Sequence, residues 1–159
     1  MTWETADWLV FQIGEQRWAL AAGCVRQVMR PPPITCVPGA SPDCAGLMGW
    51  QGRLLTVVDA AARLSPGSAR EFAGERVVLW VQENHAGGLL VDGVVGLRRL
   101  PTSAVLPLQS MLPPPWNVVT GLLRDGDDIV PILEPSAWFS AAVGEMPAGA
   151  QSARSNRLP

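Results

Sequence analysis

The chain contains one sequence pattern twice. Gly46–Leu64 (GLMGWQGRLLTVVDAAARL) and Gly121–Phe139 (GLLRDGDDIVPILEPSAWF) align without a gap, each with a glycine, a turn, a short apolar run, an acid and a helical turn. The segments upstream of them, Trp8–Arg30 and Val77–Arg99, also align without a gap, and each leads into a loop containing proline. A pattern that recurs in the same order predicts a fold built twice from one plan.

Short apolar runs bounded by turn residues predict that the fold is made of strands. The predicted strands include Trp8–Ile13, Trp18–Leu20, Leu54–Val58, Arg76–Val81 and Asp128–Leu133. Helix is predicted only at Asp59–Leu64, where Asp59 is the N-cap, and at Ser136–Val143. Evenly spaced short strands with 16 glycines and 15 prolines favour an all-β fold. We therefore predict two tandem five-stranded β-barrel subdomains, SH3-like or OB-like, with one or two short helices.

The length and apolar content are those of a single compact domain. The chain has 159 residues, of which 48% are hydrophobic, which is enough to bury a substantial core. The predicted domain covers residues 8–140, with its two halves at roughly 8–64 and 77–139. Residues 144–159 are mostly small and polar, and we predict a disordered tail there.

The charges and cysteines exclude several classes of protein. Only 16% of the residues are charged, the net charge is -2, and the arginines are dispersed apart from Arg98-Arg99, so nucleic acid is a poor candidate partner. The N-terminus lacks a basic signal region, and no apolar stretch approaches the roughly 20 residues of a spanning helix. Cys24, Cys36 and Cys44 form no CxxC pair and are expected to be reduced thiols. The expected compartment is the cytoplasm, without direct membrane insertion.

Residues suited to catalysis or metal binding are few. His85 is the sole histidine and lies in a predicted hairpin turn, so no triad can be assembled around it. Asp125, Asp127 and Asp128 resemble part of a calcium loop, but the glycine of the sharp turn and the distal glutamate are missing. We therefore predict no catalytic residue, no metal site and no cofactor.

Seven tryptophans are numerous for a chain of this length. Trp8, Trp18 and Trp80 lie inside predicted strands, where core packing is the ordinary role. Trp50 lies on the predicted turn GWQG, where an aromatic side chain either covers a core edge or is presented to a partner. The sequence leaves both roles open for Trp50.

Several motifs, taken in order, resemble those of the CheW-like coupling proteins of bacterial chemosensory systems over nearly all of residues 8–140. These motifs are the hairpin Gly14–Trp18, the V-x-x-V segment Val25–Val28, the turn and strand Gly46–Asp59, the phrase Gly88–Leu97 (GLLVDGVVGL) and the segment Thr120–Leu133. The resemblance implies two five-stranded barrels around a shared apolar core. It also implies a non-enzymatic adaptor between the cytoplasmic tip of methyl-accepting receptors and the regulatory domain of a histidine kinase, in chemotaxis or in twitching by type IV pili.

The resemblance also implies a partner surface, because in that family a receptor helix packs into an apolar groove between the two barrels. Trp50, which lies on the GWQG turn, is also a candidate contact. The groove and its rim would include Val25, Gln27, Val28, Gly46 and Gln51, and the second barrel would add Val78, Gly88 and Val94 near the groove or the kinase contact.

Two positions depart from the family pattern. Gln27 stands where the family usually has an acid, and Gln51 stands where its N-L-R-G turn has arginine. These changes remove two charges from the expected surface and predict either a specialised array or contact with one of the two usual partners. Two other classes stay open: a Trp-rich small-ligand module, detectable by tryptophan quenching, and a hydrolase using Cys or Asp, detectable by loss of activity on one substitution.

Overall fold

The structure is a computed structural model that describes residues 4–64, 74–110, 113 and 118–137. The predicted tail at 144–159 and most of the predicted helix Ser136–Val143 lie outside these ranges. Eleven strands and one α-helix, α1 (Ala60–Leu64), are described. The strands are β1 (Thr5–Ile13), β2 (Gln16–Ala21), β3 (Val25–Met29), β4 (Cys44–Trp50), β5 (Arg53–Asp59), β6 (Arg76–Gln82), β7 (His85–Val91), β8 (Gly93–Pro101), β9 (Val105–Pro107), β10 (Val119–Asp125) and β11 (Asp128–Leu133).

The strands form two sheets, and the prediction of an all-β fold with two subdomains is confirmed. The first sheet has six strands in the order β8-β1-β2-β11-β10-β9, and the second has five in the order β3-β6-β7-β5-β4. The first sheet exceeds the predicted five strands because the three-residue β9 pairs with the outer side of β10. In the part of the chain that is described, no helix is long and apolar enough to cross a membrane.

The strand registers repeat as the gapless sequence alignments do. Leu9 pairs with Leu20 in the first sheet, and their alignment partners Val78 and Leu89 pair in the second. The β4–β5 and β10–β11 ladders are likewise equivalent, including a bulge beside Gly46 in one and beside Gly121 in the other. Parallel pairing of β11 with β2 is matched by that of β5 with β7. The two sheets therefore have the same plan, down to the register of individual residues.

Each sheet combines strands from both halves of the sequence: the first holds β1 and β2 with β8–β11, and the second holds β3–β5 with β6 and β7. β3 belongs to the first half of the chain but pairs with β6 in the second sheet. Its alignment partner β8 belongs to the second half but pairs with β1 in the first sheet. This mixing ties the halves together, because neither sheet can form without strands from both halves.

The core of the protein consists of three apolar clusters. The largest is shared between the sheets and contains equivalent pairs from the two repeats, among them Phe11 with Trp80. A second cluster, which includes Met48 and Val77, belongs to the second sheet alone, and a third, which includes Trp8 and Leu123, belongs to the first. Successive residues of β1 and β6 point to opposite faces and both faces are covered, so these strands are apolar almost throughout.

Helix α1 is capped as the sequence predicts. Oδ1 of Asp59 accepts hydrogen bonds from the backbone N–H groups of Ala61 at 3.0 Å and Ala62 at 3.3 Å. The backbone N–H of Asp59 donates to the carbonyl of Asp43 at 2.8 Å, and Nη1 of Arg63 lies 3.4 Å from Oδ2 of Asp43. These bonds fix the end of the loop that leads into β4 against α1 and β5.

We expect Asp59→Ala to lower the free energy of unfolding by about 1–3 kcal/mol, because two N–H groups at the start of the helix lose their acceptor. Asp59→Asn is the matched control, since its amide oxygen can still accept these bonds. Urea unfolding followed by tryptophan fluorescence measures both. Equal losses in the two variants would contradict the assigned capping role.

Candidate partner-binding site

The outer edge of the second sheet is strand β3, which carries most of the predicted groove. Val25 is half-buried and packs against the shared core, whereas Val28 is 36% exposed. A bulge opposite Leu79 and Trp80 leaves Arg26 as the extra residue between Val25 and Gln27. The edge therefore presents an apolar side chain at Val28 and turns Arg26 and Gln27 outward.

A cleft of ≈ 770 Å³ opens beside this edge. We call it the Trp50 cleft. Its walls come from β3 and from the β4–β5 and β6–β7 hairpins, which lie at the same end of the second sheet. The lining residues are Arg26, Gln27, Trp50, Gln51, Arg53, Leu55, Val81, Glu83, Asn84, His85 and Ala86. Three predicted contact residues, Gln27, Trp50 and Gln51, are thus brought to one place.

The β4–β5 turn positions Trp50. Gln51 and Gly52 both have positive φ, at 49° and 75°, so Trp50 and Arg53 face each other at the mouth of a two-residue hairpin. Trp50 is half-buried and packs against the core cluster of the second sheet, while its remaining surface lines the cleft. Of the two roles left open by the sequence, the ring covers a core edge, and contact with a partner through the accessible cleft stays a prediction.

Three predicted contact residues lie in the interior. Val78 is fully buried in the shared core, and Gly88 and Gly46 are buried within the second sheet. A Cβ at Gly88 would lie 3.1 Å from Cγ1 of Val77, so the glycine serves close strand packing. The prediction that these three residues contact a partner directly is wrong, because all three are buried. The sequence pattern does not show which residues of an apolar strand stay accessible.

Val94 is the counterpart of Val25 in the repeat, and it too is half-buried against the shared core. It lies on β8, in the first sheet, and not beside the Trp50 cleft. Further along the same strand, Leu97 is the counterpart of Val28 and is 68% exposed. The two outer strands thus present equivalent apolar positions on different sheets.

The sequence interpretation missed Arg26, Arg53, His85 and Leu97. His85 was assigned to a turn, but the turn is Glu83-Asn84, where Glu83 has a φ of 55°, and His85 is the first residue of β7. Arg26 sits next to two predicted groove residues, and Arg53 follows the GWQG turn directly. Their positions were therefore visible in the sequence, but their meeting in one cleft depends on how β3 and the two hairpins are arranged.

Cys24, Asp125 and Asp128 are among the groups that a hydrolase could use. Burial raises the pKa of the Cys24 thiol, and the charge of Glu134 raises it further, so the thiolate is disfavoured. Asp125 and Asp128 form ion pairs with Arg98 at 3.4 Å and with Arg17 at 3.5 Å. Within the described ranges, no three His, Cys, Asp or Glu side chains are grouped to hold a metal ion.

The chain is similar in sequence to known bacterial proteins. It is 31% identical over 101 residues to protein FrzA of Myxococcus xanthus, a match covering 64% of this chain and 63% of that protein. It is 24% identical over 138 residues to the probable chemotaxis protein CheW of Rhizobium etli, covering 86% and 89%.

A solved structure has the same fold. The scaffolding protein TtCheW of Thermoanaerobacter tengcongensis superimposes with a TM-score of 0.74 at 20% identity, covering 82% of this chain and 90% of that one. The family model of the CheW-like domain matches residues 7–143, which include all or nearly all of every strand of both sheets. The chain therefore belongs to the CheW-like domain family.

Proposed function

We propose that this protein is a non-enzymatic adaptor that couples the cytoplasmic tips of chemoreceptors to the regulatory domain of a histidine kinase. Its place is the cytoplasmic signalling array, and the output of that array is chemotaxis or twitching by type IV pili. Membership of the CheW-like family and the similarity to a chemotaxis protein support this proposal.

The observation that carries the proposal is the pair of equivalent apolar positions on separate sheets. Val28 is 36% exposed on β3 and Leu97 is 68% exposed on β8. An adaptor has to hold two partners at once, so it needs two surfaces that do not overlap. We assign the receptor tip to the Val28 edge, which includes Val25, Gln27, Trp50 and the turn residue Gln51, and the kinase domain to the Leu97 edge.

Other functions find less support in the structure. Trp8, Trp18 and Trp80 are buried at 9% exposure or less and are unavailable for stacking on a ligand. Trp50 differs from them, because it is half-buried and lines the Trp50 cleft. Binding by shape and apolar area needs none of the poised titratable groups that catalysis requires.

The direct test is a pair of binding titrations by interferometry. The immobilised protein is titrated with a receptor-tip helical hairpin and, separately, with the kinase regulatory domain, both from the same cell. We expect saturable binding of each and an additive signal when the second partner is added to the saturated first complex. Absence of binding to both partners, or strict competition between them, would refute the adaptor proposal.

A further inference from the structure

We infer that the Trp50 cleft recognises a carboxylate-bearing face of the receptor-tip helix, and that Arg26 and Arg53 select it. The inference rests on the proposed function, since it names the chemistry of the partner that the Val28 edge would bind. It adds two contact residues that the family pattern does not supply.

The charges lining the cleft are predominantly positive. Two arginines, Arg26 and Arg53, face one carboxylate, that of Glu83. Both arginines are exposed, and neither forms an ion pair with any other residue that the structure describes. Each guanidinium carries five N–H donors in a planar fork that matches a carboxylate. The cleft therefore offers donors for which the chain itself supplies few acceptors.

Local structure holds both arginines at the cleft. Arg26 is the extra residue of the β3 bulge, and a bulge redirects the side chain that it inserts. Arg53 is fixed opposite Trp50 by the hairpin turn at Gln51-Gly52. Gln27, which also lines the cleft, is neutral, so it does not provide an internal carboxylate for either arginine.

The repeat provides a comparison within the same molecule. The counterpart cleft on the first sheet is lined by Glu15, Arg17 and Asp128, with Gln16, Ile129 and Val130. Asp128 stands at the position that Arg53 occupies in the second sheet, and it already pairs with Arg17 at 3.5 Å. A carboxylate partner would meet two acids and one arginine at this cleft, but two arginines and one acid at the other. The opposite charges at the equivalent positions Arg53 and Asp128 thus direct an acidic helix to the second sheet.

The receptor tip is the partner we assign because the cleft is continuous with its proposed surface. Gln27 lines the cleft and also belongs to the Val28 edge, and Val28 follows it on β3. A helix with its apolar face on Val28 would bring a neighbouring polar face over Arg26 and Arg53. Acidic residues on that polar face complete the match of apolar and charged contacts.

The experiment measures hairpin affinity for Arg53→Gln, Arg53→Glu and the double variant Arg26→Glu/Arg53→Glu. Reversal of one cleft charge is expected to weaken binding roughly tenfold, the double reversal roughly a hundredfold, and neutralisation less than either. Arg124→Glu is the matched control, because Arg124 is exposed on β10 of the first sheet. The affinity of this variant for the hairpin should stay within about twofold of the wild-type affinity. Wild-type affinity should also fall as salt is raised.

A charge exchange identifies the carboxylate. Each acidic residue of the hairpin is replaced in turn by arginine, and one of these hairpins should bind Arg53→Glu at least about fivefold more tightly than the unchanged hairpin does. Equal losses in Arg124→Glu and Arg53→Glu, no rescue by any exchanged hairpin, or a loss confined to the kinase domain would overturn the inference and leave the adaptor proposal standing. If the wild type binds neither partner, both fail together.

Discussion

Val28→Arg is expected to yield a folded protein that no longer binds the receptor-tip hairpin. Val28 is 36% exposed on the outer strand β3, so an arginine there can reach water in the free protein and should change unfolding by less than about 1 kcal/mol. In a complex, the same guanidinium would be desolvated in an apolar contact without a carboxylate partner. The expected loss is roughly 2–4 kcal/mol of binding free energy.

Interferometry against the hairpin and against the kinase domain, together with a thermal unfolding curve, checks this expectation. Leu97→Arg is the matched control, because it makes the same change at the equivalent position of β8 and should affect the kinase domain more than the hairpin. Gln51→Glu should weaken hairpin binding less than Val28→Arg does. If Val28→Arg unfolds the protein, the side chain is part of the core; if it folds and binds normally, the receptor surface is assigned to the wrong edge.

Gly46→Ala is expected to produce the largest loss of stability from adding a single methyl group. Gly46 has a φ of 140°, and a Cβ built there would overlap the carbonyl oxygen of Thr35 and lie 2.9 Å from Cγ2 of Ile34. Thr35 and Leu47 form two backbone hydrogen bonds at this point, of 2.8 and 2.9 Å, which the methyl group would force apart. Backbone strain and overpacking together should cost about 3 kcal/mol or more.

Substitutions at two other glycines distinguish backbone strain from overpacking. Gly96 has a φ of 145°, but no atom lies within 4 Å of the place that a methyl group would take, so Gly96→Ala should show strain alone, about 1 kcal/mol. Gly121, the counterpart of Gly46, has close packing, with 2.9 Å from a Cβ to the carbonyl oxygen of Leu106, and its φ lies outside the left-handed region. Urea unfolding should therefore rank Gly46→Ala as the most destabilising of the three. A loss for Gly46→Ala no greater than that for Gly96→Ala would contradict the packing account.

The repeat and the strands were predictable from the sequence because they depend on local pattern. An apolar run bounded by a turn, such as Trp8–Ile13, favours a strand through its own composition. The gapless alignment of Gly46–Leu64 with Gly121–Phe139 carries the register of two ladders. The cap at Asp59 is equally local, since its side chain bonds to residues two and three positions further on. Resemblance to a family added the prediction that residues of β3 contact a partner.

The tertiary structure alone decided the accessible faces and the partners of the outer strands. β3 pairs with β6 and β8 pairs with β1, in each case across the two halves of the chain, and nothing in either strand specifies this, because the pairing depends on contacts distant in sequence. Val78 and Val28 are both valines in apolar segments, yet one is fully buried and the other exposed. The assembly of the second sheet also brings the bulged Arg26 and Arg53 to the lining of one cleft, and so creates a basic cleft from residues that are dispersed in the sequence.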